Sequence, residues 1–241
     1  MGTINTHREV FGNNVVVNGC LVHWRRAVRR KVQELGLVEV VNHNSEVAKW
    51  VRSWSVLQLM PIEDLDKVSE VIVENTPYDD GEEEVQEDGD VEARRQGFNE
   101  ALDDFKHYFE KTWIGPKQTT RAGGRRKPRY DPLIWSVREA IITDSEFTTN
   151  ISESFNSANK LSTVARPSIW ALIAMLKKEE NVARAKVASI RAGKYKDSNP
   201  GRTKRREEKA ENLKKLVLKY DTIPIVEFID AVLAFYNKFS N

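Results

Sequence analysis

The sequence predicts a mainly α-helical protein with at most one or two short strands near its N-terminus. Three observations lead there. Apolar residues recur three or four apart over most of the 241 positions, the spacing of a helix face. The only clear β-branched run is Val15-Val16-Val17, closed by Asn18-Gly19. Hydrophobic residues make up 40% of the chain, with nine Phe, six Trp and six Tyr, enough material for a packed core, which excludes wholesale disorder. A chain of this length holds one or two domains.

In chain order, 15–17 reads as a short strand. Leu21, Trp24, Val28, Val32 and Leu35 share one face, and Gly36 stands where a left-handed cap belongs, so 20–35 is a helix. A second helix is expected over 45–60, with Val47, Trp50, Val51, Trp54 and Leu57 inward, Ser45 as N-cap and Pro61 as stop. A third, 61–73, turns Ile62, Leu65, Val68 and Ile72 to the core. Residues 75–96 lack periodicity, contain Pro77, Gly81 and Gly89, and read as an exposed acidic linker or disordered loop. Helix resumes over 98–113 through Leu102, Phe105, Phe109 and Trp113. Short helices are expected near 132–142 and 151–161, and a longer one from Pro167 to about Arg191 with the stripe Ile169, Leu172, Ile173 and Leu176. Gly193 and the turn Asn199-Pro200-Gly201 interrupt it before a last pair, 204–220 and 225–239. The expected regions are therefore 1–36 (strand and first helix), 37–74 (helical), 75–96 (acidic linker), 97–192 (helical) and 193–241 (basic helical hairpin).

The formal charge of +2 conceals a strong asymmetry. Residues 79–92 hold nine acids and no base, leaving 38 bases against 27 acids elsewhere, a net +11. A surface that basic is the electrostatic footprint of a polyanion partner, and DNA is the expected one. Two segments concentrate the charge. The loop 117–129, KQTTRAGGRRKPR, has six bases and no acid, and 177–219 carries fifteen bases against six acids. Arg121, Arg125, Arg126, Lys127, Arg129, Arg202, Lys204, Arg205 and Arg206 are the candidate phosphate contacts. The competing reading is a solvated helix face, which Glu207, Glu208 and Glu211 support by interleaving with 204–215. The bases at 124–129 and 202–206 also suit nuclear import. A single cysteine, Cys20, excludes an internal disulfide and fits a reducing compartment. No apolar run approaches the roughly 20 residues of a membrane span, and the first residues lack the apolar core of a signal peptide. The expectation is a soluble nuclear or cytoplasmic protein with no membrane partner and no evident small-molecule substrate.

The sequence has no Walker loop, dinucleotide glycine fingerprint, nucleophile elbow or HExxH. Two constellations remain. Cys20-Leu-Val-His23 places a thiol and an imidazole three apart on one helix face, a pair that either shares a metal or packs as a buried cysteine beside a satisfied histidine. Thr148-Thr149-Asn150-Ile-Ser-Glu153 is either a capping box, with Asn150 as N-cap and Glu153 reaching back, or a polar site opening a helix.

Taken in order, VFGNNVVVNGCLVHWRRAVRRKVQELGL, FKHYFEKTWIG, PRYDPLIWSVREAI, TTNISESFN and RPSIWALIAMLKKEE resemble successive blocks of Mutator-like (MULE) DDE transposases over most of 10–185. The resemblance implies DNA transposition on an RNase-H-like core. Three carboxylates there hold two Mg2+ or Mn2+ ions for phosphodiester cleavage and strand transfer. By position Glu153 matches the third carboxylate and metal ligand. Cys20 and His23 match the CxxH near the active site, and the helices between correspond to an insertion in a remnant of that core. The sequence departs from the pattern at Phe147, Thr149 and Ser154. The strands bearing the first two aspartates are expected to lie before residue 1. The resemblance thus points to the C-terminal part of a transposase, inactive alone and binding no metal tightly. The alternative is a non-catalytic, transposon-derived nucleic-acid-binding helical protein. An unpaired N-terminal strand would favour association of copies into a homo-oligomer.

Overall fold

The computed structural model describes residues 9–10, 12, 19–80, 89–118, 124–145, 168–196 and 200–238. Among them α-helices dominate, and extended pairing is limited to an isolated antiparallel bridge between Lys117 and Arg125. This is the mainly α class. The expected strand at 15–17 and the expected helix at 151–161 lie outside the described residues. The chain divides into two units, Met1–Phe147 with Glu211–Asn241, and Thr148–Ala210. That division cuts through the expected 193–241 hairpin, whose last helix belongs to the first unit.

In the first unit, helix α1 (Leu21–Glu34) buries Leu21, Trp24, Val28 and Val32, the face read from the sequence. It ends as Gly36 predicts: φ is +69°, and the Leu37 and Gly36 amides donate back to Val32 O and Gln33 O at 3.0 and 3.2 Å. Helix α2 (Val38–His43) follows, six residues with none buried and too short to show a period. Helix α3 (Ser45–Ser53) corrects the expected cap. Asn44 is the N-cap, its Oδ1 accepting from the Glu46 and Val47 amides at 2.9 and 3.1 Å.

The single helix expected over 45–60 breaks at Ser53 into a 3-10 segment, Trp54–Leu59, all six residues of which are buried. It packs against α1, α3, α4 (Leu65–Glu74) and α10 (Ile225–Lys238), at the centre of the unit. A segment enclosed on every side has no polar face to preserve, so the tighter winding loses nothing to solvent. At its start the Ser53 and Ser55 hydroxyls donate to Trp50 O and Arg52 O at 2.6 and 2.5 Å. The helix expected over 61–73 likewise splits into a 3-10 turn, Ile62–Asp64, and α4.

The expected linker at 75–96 is corrected at its two ends, and its middle, 81–88, lies outside the described residues. Tyr78 accepts a hydrogen bond from Lys106 and donates one to Asp103, and Asp79 and Asn99 exchange two bonds at 3.0 and 2.9 Å. These tie 75–80 onto α5 (Gly89–Phe109), whose first two turns occupy 89–96. The acids misled the reading. Asp90 and Glu92 sit in the first turn, where the helix dipole favours them, and Arg95 reaches Glu92 and Asp79 at 2.7 and 3.4 Å. Further along α5, Leu102, Phe105 and Phe109 are fully buried against Trp50 and Trp54. A π-helical turn, Glu110–Ile114, then α6 (Pro132–Trp135) and α7 (Arg138–Ile142) complete this region. Buried Arg138 donates to Leu59 O and Val217 O at 3.0 and 3.2 Å, fastening the 3-10 segment to α9 (Pro200–Leu218).

In the second unit, α8 (Ile169–Arg191) is capped by Ser168, whose hydroxyl accepts from the Ala171 amide. None of its residues is buried, and the stripe Ile169, Leu172, Ile173 and Leu176 lies open among the described residues. Of the turn expected at 199–201, Asn199 lies outside the described residues, and Pro200 and Gly201 open α9, with Pro200 at its first position, where a missing N–H is harmless. From Glu211 onward α9 belongs to the first unit, where Leu213 and Val217 are buried. No helix among the described residues is long and apolar enough to cross a membrane.

Candidate nucleic-acid interface

The first unit contains an open cleft of about 870 Å³ bounded by α1, the π-helical turn and the segment 127–135. Its wall is aromatic. Trp24 stacks on Trp135 with centroids 5.5 Å apart and meets Trp113 edge-on at 5.4 Å, while Trp113 lies 5.1 Å from Tyr130. The three indoles are buried, whereas Tyr108 and Tyr130 are half-exposed. Edge-to-face and offset contacts of this kind hold the rings rigidly and add to their burial.

Backbone geometry fixes the wall. The Gln58 side-chain Nε2 donates to Trp135 O at 2.9 Å, the Val137 backbone amide to Gln58 O at 3.0 Å, and the Trp135 indole to Tyr130 O at 3.2 Å. Arg129 and Tyr130 amides donate to Lys111 O and Thr112 O, zipping the end of the basic loop onto the π-helical turn. Two glycines allow the close approach. A Cβ on Gly19 would sit 2.6 Å from Trp135 O, and one on Gly115, at φ +97°, would sit 1.9 Å from Arg126 O. Burial pushes the Tyr108 hydroxyl up from its ordinary pKa, so it stays a neutral donor beside the cleft at physiological pH.

The rim is cationic. Arg30, Lys111, Lys127 and Arg129 line the cleft and are exposed, and no acid lines it among the described residues. Arg30, Lys111 and Lys127 have no ion-pair partner among those residues, and the Arg129 guanidinium lies 5.6 Å from the Tyr130 ring centroid. Cations over a low-dielectric aromatic wall concentrate positive potential where a phosphate chain can reach it.

The sequence-predicted residues divide. Lys127 and Arg129 join the cleft, as do Cys20, half-buried at the N-cap of α1, and exposed His23. Arg126 is exposed outside it. Arg125 is committed inward: its guanidinium pairs with Asp66, donates to Gly115 O at 2.7 Å and Ser69 Oγ at 3.2 Å, and approaches Glu110 at 3.7 Å. It clamps the loop base to α4, and Lys117 adds an ion pair with Glu70 at 2.6 Å. Lys204, Arg205 and Arg206 lie on α9 in the second unit, with Lys204 4.0 Å from Glu208. The backbone of Arg202 is in the same helix. Arg121 and Glu153 lie outside the described residues.

Arg30 and Lys111 were missed. The signal for Arg30 was present in the run Trp24-Arg-Arg-Ala-Val-Arg-Arg-Lys31, a basic polar face on an amphipathic helix. Lys111 carried none, because only the fold brings it beside Lys127. Among the described residues no three His, Cys, Asp or Glu side chains converge on a metal site. Glu153, the expected Mg2+ or Mn2+ ligand, lies outside those residues. No family model, curated protein or solved structure matches the chain.

Proposed function

We propose that this chain is a transposon-derived, Mutator-like helical protein whose own contribution is DNA binding, with the aromatic-walled cleft of the first unit as the contact surface. The observation that carries this reading is a cleft lined by four exposed bases and no acid among the described residues, directly beside the Cys20-x-x-His23 helix. In this proposal the bases contact backbone phosphates without regard to sequence, and the loop end clamped by Arg125 presents Lys127 and Arg129 at a fixed spacing. Glu153 keeps its place as the inherited third-carboxylate position. Phosphodiester cleavage forms no part of the activity assigned to this chain, and a nuclear location follows from the proposed partner.

The test is fluorescence anisotropy of a labelled blunt duplex with the full chain over a range of salt. Each phosphate neutralised contributes a slope of about −0.9 in log affinity against log salt. Lys127→Ala with Arg129→Ala should flatten the slope by about 2, whereas Lys204→Ala with Arg205→Ala and Arg206→Ala should change it less. Absence of a complex at low salt would refute the proposal.

A further inference from the structure

We infer that the cleft takes an unpaired nucleotide, its base stacked on Tyr130 and its flanking phosphates held by Lys127 and Arg129; the inference rests on the DNA-binding reading and narrows it. An intact duplex presents only phosphates and sugars to a basic surface, because its base faces are covered by their neighbours. Against such a ligand the rim cations find partners and the aromatic wall finds none. An unpaired nucleotide brings both an anionic backbone and a free π-face, and combining a basic groove with stacking rings is the general chemistry of single-strand recognition.

The geometry supplies the platform. Tyr130 is half-exposed, its ring is backed by the Trp113 indole at 5.1 Å and 32°, and its carbonyl is held by the Trp135 indole N–H. The Arg129 guanidinium lies over the same ring, 5.6 Å from its centroid, so a base that takes this face displaces the guanidinium toward its own phosphate. The volume, about 870 Å³, falls within the roughly 300–1,000 Å³ typical of clefts that enclose small organic groups, a scale suited to a base or two.

A second observation points the same way. Three buried side chains that line the cleft, Trp24, Trp113 and Gln58, each keep an unsatisfied polar atom: the Trp24 and Trp113 indole N–H groups and Gln58 Oε1 have no hydrogen-bond partner among the described residues. Buried polar atoms are nearly always paired, so orphan donors and an orphan acceptor lining one cleft require an explanation. The edge of a nucleobase carries both an acceptor and a donor, and an aliphatic or purely anionic ligand does not.

The experiment compares two labelled duplexes with the full chain, one blunt and one ending in a short single-stranded tail that carries 2-aminopurine. The tail is expected to raise affinity on the order of tenfold, the stacking of a single base. Bound 2-aminopurine fluorescence should fall as it stacks. Tyr130→Phe should retain both effects and Tyr130→Ala should lose both. Should the tailed and blunt probes bind alike, with unquenched 2-aminopurine in the wild-type chain, the inference is overturned and plain duplex contact stands. If neither probe binds at low salt, the DNA reading falls and takes the inference with it.

Discussion

Gly115 links the fold to the cleft, and its replacement by alanine is the sharpest test of the geometry. The residue has φ +97° and ψ +135°, backbone that only glycine adopts without strain. Alanine there carries a conformational penalty of about 1–3 kcal/mol. Its Cβ would also sit 1.9 Å from Arg126 O, a backbone atom that cannot rotate away, adding an overpacking penalty of about 1–3 kcal/mol. Together they give about 2–6 kcal/mol, or a melting point lower by roughly 4–24 °C at 2–4 °C per kcal/mol for a chain of this size. Gly124→Ala is the internal control. It has φ +87° with nothing within 4 Å of the added carbon, so it bears the strain without the clash. Tryptophan emission reports the right unit, because Trp24, Trp50, Trp54, Trp113 and Trp135 are buried in it and Trp170, in the other, is exposed. If Gly115→Ala melted no lower than Gly124→Ala, the close seating of 115 against 126, and the cleft wall built on it, would be wrong.

Three further outcomes follow from other contacts. Asn44→Ala should cost about 1 kcal/mol in urea unfolding through loss of the α3 cap, and Ser45→Ala only a few tenths or less, the reverse of what a Ser45 cap requires. Arg138→Met should destabilise by about 2–3 kcal/mol in the same assay, since it strips the donor from Leu59 O and Val217 O in a buried site. Partial burial opposes ionisation of both Asp103 and Lys106. Yet their mutual bond and that with Tyr78 hold the Asp103 carboxyl below its ordinary pKa and the Lys106 ammonium above its own. The carboxylate's contribution is therefore complete above about pH 4 and lost as pH falls through its lowered value. The ammonium's is complete below about pH 10 and lost as pH rises through its raised value. The melting-point gap between wild type and Asp103→Asn should accordingly stay constant over about pH 5–9 and close on the acid side; a gap that widened in acid would contradict the assignment.

Most of the secondary structure was legible because amphipathic helices write their buried face into the sequence. The α1 stripe and its Gly36 cap, and the Leu102, Phe105 and Phe109 face of α5, appear where the spacing puts them. Errors fell where that signal is absent or ambiguous. In 54–59 every side chain is buried, so no period distinguishes an α-helix from a 3-10 segment. At 75–80 the neighbouring acids suggested solvent, yet Tyr78 and Asp79 dock onto α5 through hydrogen bonds and an ion pair with Arg95 that composition does not register. The candidate site was half legible: Cys20, His23, Lys127 and Arg129 were singled out, while Trp24 and Trp113 were read as core and Tyr130 and Trp135 only as part of the block PRYDPLIWSVREAI.

The sequence by itself determined the helical class, the faces of its helices and the surplus of positive charge, because each depends on residues a few positions apart. Only the tertiary structure decided which cations share a surface. Arg125 and Lys127 are two residues apart in one basic loop, yet one is turned in against Asp66 and the other lines the cleft with Arg30 from α1 and Lys111 from the π-helical turn. That choice is made by packing between segments distant in the chain, where loop closure, burial and the seating of Gly115 set the direction of each side chain.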